Sequence, residues 1–315
     1  MSAEGAAADG PLERLTLALW AQNVAQPLNG LGAWAAQIDA KMAEAKAGGA
    51  DLLLLPEYNV EQWISFAPEG LPADREIPWM AGQAEEALAL LADLPAKHGL
   101  ALLVGSMPWP RETPPAGEPA HLNRAWLLLP DGRRAKHDKL VLTPGEQDPA
   151  AWNLATGEEI EVVEWRGLRM ATLICLDVEM PALSSLLAPR NLDLLLVPSM
   201  TEKLSGYSRV FGCAKARAVE LMSVVAAVGC IGRAGGRPER GGNVSGAAVF
   251  APCEERLGYV GVLGEEPPRA EAEDEGPLLI VKDIPVAEIR ALRDGKAEVW
   301  PGAWKADHVR IREAG

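Results

Sequence analysis

Cysteine is scarce in this chain: four residues in 315, at positions 175, 213, 230 and 253. They are too few and too scattered for a disulfide framework, and none forms a CxxC pair, so a structural zinc site is not expected. This usage fits a reducing cytoplasm, where a cysteine stays a free thiol. No uninterrupted apolar run reaches the roughly 18 residues that a membrane-spanning helix needs. The opening MSAEGAAADGPLE has neither a basic nor an apolar stretch, which argues against a secretory signal, and residues 1–13 are expected to be disordered. Positive charge is in the minority, with 30 Lys and Arg against 44 Asp and Glu and a formal net charge of −14. A nucleic-acid partner requires a basic footprint, as does docking on an anionic membrane, so neither is expected. There are only four histidines, no GxSxG elbow, and no GxGxxG or phosphate loop. The glycine-rich GCIGRAGGRPERGG (229–242) lacks the Lys-Ser/Thr of a phosphate loop and reads as a flexible loop. No cofactor or metal is expected.

What the chain does have is apolar material for a sizeable core: 48% hydrophobic against 23% charged residues, ordinary soluble usage. LTLALW (15–20) predicts a buried strand. Trp34, Ile38, Met42 and Ala45 recur at helical spacing and stop at Gly48-Gly49. DLLLLPE (51–57) predicts a short strand ended by Pro56, a helical stretch follows over about 80–98, and GLALLVGS is a third strand. The rhythm is that of a sheet covered by helices. The middle of the chain then changes to hairpins, one turning at Asp131-Gly132 and one near Arg166-Gly167. Strands NLDLLLVPS, SVVAAVG, VSGAAVFAP and GPLLIVKDI follow, with a helix over about 207–221. Hairpins inserted into an alternating pattern suit one domain, residues 14–295, in which two mixed sheets pack face to face with helices outside: α/β (α+β), a four-layer α-β-β-α sandwich. The Pro-rich segment 107–123 and the acidic segment 264–276 are expected to be loops. The last stretch, 296–315, lies beyond the last strand.

Three strand ends place an ionisable group just after apolar residues: Glu57 in DLLLLPEYN, Lys139 in AKHDKLVLTPGE, and Cys175 in LRMATLICLDVEMP. Singly, each has an ordinary explanation: a surface turn glutamate, a solvated lysine, a small core thiol. Together they suit acyl transfer. A thiol with a pKa near ~8.5 is mostly neutral at pH 7 and needs a base or a nearby cation to act as a nucleophile. A carboxylate whose pKa is raised by burial can take that proton and later pass it to a leaving amine. An ammonium can hold the tetrahedral oxyanion, a task worth roughly 3–4 kcal/mol per lost donor.

These residues and their flanks resemble the nitrilase, or carbon–nitrogen hydrolase, superfamily over about 15–293. GGADLLLLPE looks like its first motif, KHDKLVLTPGE like its second and LICLDVEMP like its nucleophile motif, in that order. LLLVPSMT, GYSRVFGCAKARAVE and VSGAAVFAP resemble the segments that follow. The GYSRV…ARAVE stretch is most like the branch sometimes found fused to acetyltransferase domains. The resemblance implies the α-β-β-α fold with Glu57 as general base, Lys139 as stabiliser of the tetrahedral intermediate and Cys175 as nucleophile. It also implies Glu146 as a second glutamate that positions substrate or lysine, and the Leu176 N–H as an oxyanion donor. The implied activity is hydrolysis of a nonpeptide C–N bond, amide or carbamoyl, in a small molecule through a thioester. Alternatives are nitrile hydrolysis or N-acyl transfer on the same residues, or a non-catalytic scaffold of the same fold. By the same resemblance, residues 296–315 would pack on a partner subunit of a homodimer or larger homo-oligomer.

Several positions depart from the family's usual pattern. Leu176 stands where Tyr is common, Met180 and Gly145 where an aromatic is common, and Ala182 where a glutamate is common. These changes leave the three central residues alone and bear on substrate. A Cys175–His137 pair is an alternative for activating the thiol, since His137 and Lys139 share one strand face. Arg209 and Arg217 could meet a substrate carboxylate or lie on a helix surface. Trp63, Trp109 and Trp152 belong to loops that could rim the site, or to the core. Cys213, Cys230 and Cys253 are expected to be inert.

Overall fold

Alternate residues of the first strand enter two different cores, which is why an unbroken apolar run can be a strand here. A computed structural model describes residues 11–237 and 241–313. In β1 (Leu15–Trp20), Leu15, Leu17 and Leu19 face one apolar layer while Ala18 and Trp20 face another. β2 (Leu52–Leu54), β3 (Ala101–Pro110) and β4 (His121–Leu128) divide the same way. Leu52, Leu54, Leu103 and Leu127 join the first layer, and Leu53, Leu102, Val104 and Leu128 the second. Side chains alternate along a strand, so burial on both faces requires apolar residues throughout.

β1, β2 and β3 run parallel, and β4 and β5 (Arg134–Asp138) continue the first sheet antiparallel. The short β6 (Leu154–Ala155) pairs with β4. The second sheet takes β7 (Val163–Trp165), β8 (Leu168–Thr172), β9 (Leu194–Ser199) and β10 (Val224–Gly229). After a small ribbon of β11 (Gly232–Arg233) and β12 (Gly242–Asn243), β13 (Ser245–Phe250) and β14 (Val262–Arg269) complete it in the order β14-β13-β10-β9-β8-β7. β15 (Leu278–Ile284) returns to the first sheet, antiparallel to β1.

Helix α1 (Leu31–Ala47) lays Trp34, Ile38, Met42 and Ala45 on the outer face of the first sheet. On the second sheet, α7 (Leu204–Leu221) contributes Val210, Phe211, Ala214, Ala218 and Leu221. The architecture is therefore the α-β-β-α sandwich expected, with α6 (Pro181–Leu187) packed beside α7.

The single helical stretch expected over 80–98 is instead three short helices, α2 (Ala73–Ala81), α3 (Ala84–Leu91) and α4 (Leu94–His98). Gly82 follows the first and Pro95 opens the third, where a missing N–H is harmless. The Pro-rich loop is also shorter than 107–123. β3 runs to Pro110 and β4 starts at His121, with Trp109 paired to Leu122. β2 pairs only with residues 101–103 of β3, so Pro108 and Pro110 lie where β3 has a single neighbour, the setting in which a strand tolerates proline. The acidic run begins as strand: β14 is the edge of the second sheet, and Glu265, Glu266, Pro267 and Pro268 suit an edge that must not pair further. Of the expected disordered residues 1–13, 1–10 lie outside the described residues. Leu12 already donates its N–H to the Arg166 carbonyl at 2.9 Å.

Candidate active site

Glu57 is presented by a turn pressed against β3. Pro56 ends β2, and Tyr58 takes a left-handed φ of 48° while its N–H reaches Ser106 Oγ at 3.2 Å. A side chain at Gly105 would put Cβ 2.0 Å from the Pro56 carbonyl oxygen, so only glycine allows the turn so close. Lys139 follows β5 and extends its ladder by donating its N–H to the Asn123 carbonyl at 2.9 Å. Glu146 belongs to the one-turn helix α5 (Pro144–Gln147), closed by a capping box: Thr143 N–H meets Glu146 Oε2 at 2.8 Å, and Glu146 N–H meets Thr143 Oγ1 at 3.4 Å. Cys175 comes just after β8, at the start of a tight turn, with φ of 48°. That conformation is rare outside glycine and turns the side chain out of the strand direction.

The four residues, drawn from three separate stretches of the sequence, line one cavity of about 730 Å³ together with Leu176, Trp152, Met200 and Arg209. Lys139 Nζ lies 2.8 Å from Glu57 Oε1 and 2.8 Å from each oxygen of Glu146. All three side chains are almost fully buried, as is Cys175 at 6% exposure. Asn123 Nδ2 donates to Glu57 Oε1 at 2.8 Å and to Glu146 Oε1 at 3.3 Å. The Cys175 thiol points at the Met200 carbonyl, 3.6 Å away.

Burial pushes the Glu57 carboxyl above its ordinary range, the Lys139 charge pulls against that, and the Glu146 charge adds to it. Burial acts against the Lys139 ammonium, but Glu57 and Glu146 outweigh it and hold the lysine well above its usual value. Burial, and then the charge of Glu57, push the Cys175 thiol well up, with Lys139 only partly opposing. The thiol is therefore protonated at rest. A thiol held protonated can act as a nucleophile only by passing its proton to a base.

His137 does not serve Cys175. Its Nε2 lies 3.0 Å from Asp177 Oδ2, and no His137–Cys175 contact occurs among the described residues. Arg209 lines the cavity with its Nε 3.3 Å from Glu179 Oε2. Arg217 is buried behind the turn, donating from Nε to the Val178 carbonyl at 3.0 Å and from Nη1 to Glu220 at 2.6 Å, so it does not face the cavity. Of the three tryptophans, only Trp152 lines the cavity, stacked edge-on against Tyr58 at 4.7 Å. It supplies an aromatic wall beside Gly145, where the family's usual aromatic is missing. Trp63 packs on Trp34 in the core, and Trp109 packs on Trp126. Met180 and Ala182 lie outside the cavity lining. Cys230 is buried behind Glu57, its thiol 3.2 Å from the Glu57 carbonyl oxygen. Asn123 was invisible to sequence reasoning, since an asparagine at the end of a Pro-rich segment reads as a turn residue. Among the described residues, no cluster of three or more His, Cys, Asp or Glu has a metal-site arrangement.

Comparison with known proteins places these features in a family. A family model described as carbon–nitrogen hydrolase matches residues 16–264. The probable hydrolase YhcX of Bacillus subtilis (strain 168) is 26% identical over 260 residues, covering 82% of this chain and 48% of that protein. This chain thus spans about half the length of that relative. Among solved structures, a mutant of the amidase from Nesterenkonia sp. AN1 in complex with butyramide superposes with a TM-score of 0.63 at 27% identity, covering 89% of this chain and 94% of that one. A second variant of that amidase, with the acetamide moiety of fluoroacetamide added covalently at its active-site cysteine, has a TM-score of 0.63 at 26% identity, covering 89% and 94%.

Proposed function

The chain belongs to the carbon–nitrogen hydrolase family, and we propose that its cavity hydrolyses small-molecule amides or carbamoyl compounds through a thioester on Cys175. The observation that carries this reading is the buried Glu57–Lys139–Glu146 cluster, with Nζ at 2.8 Å from both carboxylates, opening with the Cys175 thiol into one cavity. As sulfur attacks the amide carbon, Glu57 takes the thiol proton and the carbonyl oxygen gains the negative charge. The Lys139 ammonium and the Leu176 N–H stabilise that oxygen. Collapse of the tetrahedral adduct breaks the C–N bond as Glu57 returns its proton to the departing amine. Water, deprotonated by Glu57, then attacks the thioester, and the acid leaves as the thiol recovers its proton. Glu146 and Asn123 hold Lys139 and Glu57 in place throughout.

Nitrile hydrolysis and N-acyl transfer would draw on the same groups. The amide bound and the adduct formed by the similar Nesterenkonia amidase favour the amide reading, and the intact cluster weighs against a non-catalytic scaffold. A homodimer or larger homo-oligomer joined by residues 296–315 belongs to the same proposal, supported by the exposed Val299, Trp304, Val309 and Ile311. A cytoplasmic location is supported by four free cysteines. Among the described residues no helix is long and apolar enough to cross a membrane. The test is ammonia release from a panel of simple amides, ω-amides, carbamoyl amines and nitriles, with Cys175→Ala as control. Turnover of an amide that Cys175→Ala lacks is the expected result; activity retained by Cys175→Ala, or confined to nitriles, would overturn it.

A further inference from the structure

Asp177 is fully buried, and both oxygens of its carboxylate are engaged by partners from two separate parts of the chain. Oδ1 accepts the N–H groups of Leu140 at 3.1 Å and Val141 at 2.8 Å. Oδ2 accepts the N–H of Ile174 at 3.0 Å and a bond from His137 Nε2 at 3.0 Å. Leu140 and Val141 directly follow Lys139, and His137 precedes it by two residues. Ile174 directly precedes Cys175. One carboxylate therefore clasps the lysine-bearing end of the first sheet to the nucleophile-bearing end of the second.

We propose that the His137–Asp177 pair is a positioning device for the reaction, setting Cys175 against Lys139 and Glu57 across the two sheets. This rests on the amidase reading, which makes those three the reacting groups. Cys175 has a left-handed backbone, and such strain persists only where the surroundings over-determine it. Asp177 supplies that restraint: its carboxylate holds the Ile174 N–H, and its own N–H donates back to the Ile174 carbonyl at 2.9 Å. His137 points the same way. It is 4% exposed, and among the described residues its Nδ1 has no hydrogen-bond partner and its one side-chain hydrogen bond goes to Asp177. A leucine would fill that space without burying an unpaired nitrogen, so packing alone does not account for an imidazole there. The bond to Asp177 does. A misplacement of 1 Å between reacting groups costs about a hundredfold in rate, which is the scale on which such a clasp acts.

The test uses the full chain with His137→Leu and His137→Met, which lack the donor, and His137→Gln, whose amide nitrogen reaches the place of Nε2. Four quantities are read: kcat and KM on butyramide, the rate at which iodoacetamide alkylates Cys175 by mass spectrometry, and Tm. In the donorless variants kcat should fall about tenfold or more with KM within about twofold, alkylation should slow in parallel, and Tm should stay within about 3 °C of the parent. His137→Gln should return to within about threefold of the parent in both rates. The inference is overturned if a donorless variant matches the parent, if His137→Gln loses as much as they do, or if the rate losses follow losses of Tm. Should the parent hydrolyse no amide, the amidase reading fails on its own, and the alkylation series still decides whether His137 positions the thiol.

Discussion

Lys139 Nζ sits 2.8 Å from Glu57 Oε1 while also spanning both oxygens of Glu146, so one ammonium neutralises part of two buried carboxylates. Two acids thus share a single buried cation, and Asn123 Nδ2 adds a neutral donor to both.

Removing the ammonium should be the most damaging single change. Lys139→Met leaves two buried carboxylates facing each other, and breaking a buried ion pair typically destabilises by about 3–5 kcal/mol. Thermal unfolding should show a Tm lower by at least several degrees, along with loss of turnover. Lys139→Arg should not restore activity, because a planar fork cannot replace a point charge shared by two acids. A Lys139→Met protein as stable as the parent would contradict the ion-pair geometry.

Glu57→Gln should separate stability from activity. Burial raises the Glu57 carboxyl in the folded protein, so the folded state holds that proton to higher pH than the unfolded chain. Its favourable contribution is complete below the ordinary carboxylate range and is lost as pH rises through the raised value. Above that value the buried charge is a burden, and there the neutral amide should raise Tm by about 1–3 °C while lowering kcat by about a thousandfold. Calorimetry at pH 7 and at pH 4 checks the sign, since the gain should shrink at the lower pH.

The same raised carboxyl predicts the acid limb of the rate profile. kcat/KM should fall as pH drops through a value above the normal glutamate range, because protonated Glu57 cannot accept the thiol proton. An acid limb at the pKa of an ordinary exposed glutamate would argue against Glu57 as the base.

Cys175→Ala should abolish turnover and leave the fold unchanged in circular dichroism. In the parent, iodoacetamide should label Cys175 faster than Cys213, Cys230 or Cys253. Glu57→Gln should slow that labelling if loss of the proton acceptor outweighs relief of the Glu57 charge that holds the thiol up. Labelling of Cys175 that ignores Glu57→Gln would point to a standing thiolate instead.

Light scattering at micromolar concentration should give a mass of at least two chains. Trp304→Glu, which charges an exposed apolar position of the last segment, should weaken that assembly without altering Tm of the isolated chain by more than about 2 °C. A monomeric parent would remove the last segment's proposed role.

The sequence alone determined the sandwich and the residues to watch. Period-two burial on both faces writes strands as continuous apolar runs, turn residues mark their ends, and Glu57, Lys139 and Cys175 each stand just past such an end. These are local signals, legible within a few neighbours. Tertiary structure decided what those residues face. Asn123 reaches Glu57 across 66 positions, Asp177 joins segments 37 positions apart, and Arg209 but not Arg217 opens on the cavity. The direction in which the thiol's pKa moves was likewise undecided until its burial and the neighbouring Glu57 charge were known. Hydrogen bonds and Coulomb terms depend on separation and exposure in space, and neither quantity is written in the order of residues along a chain.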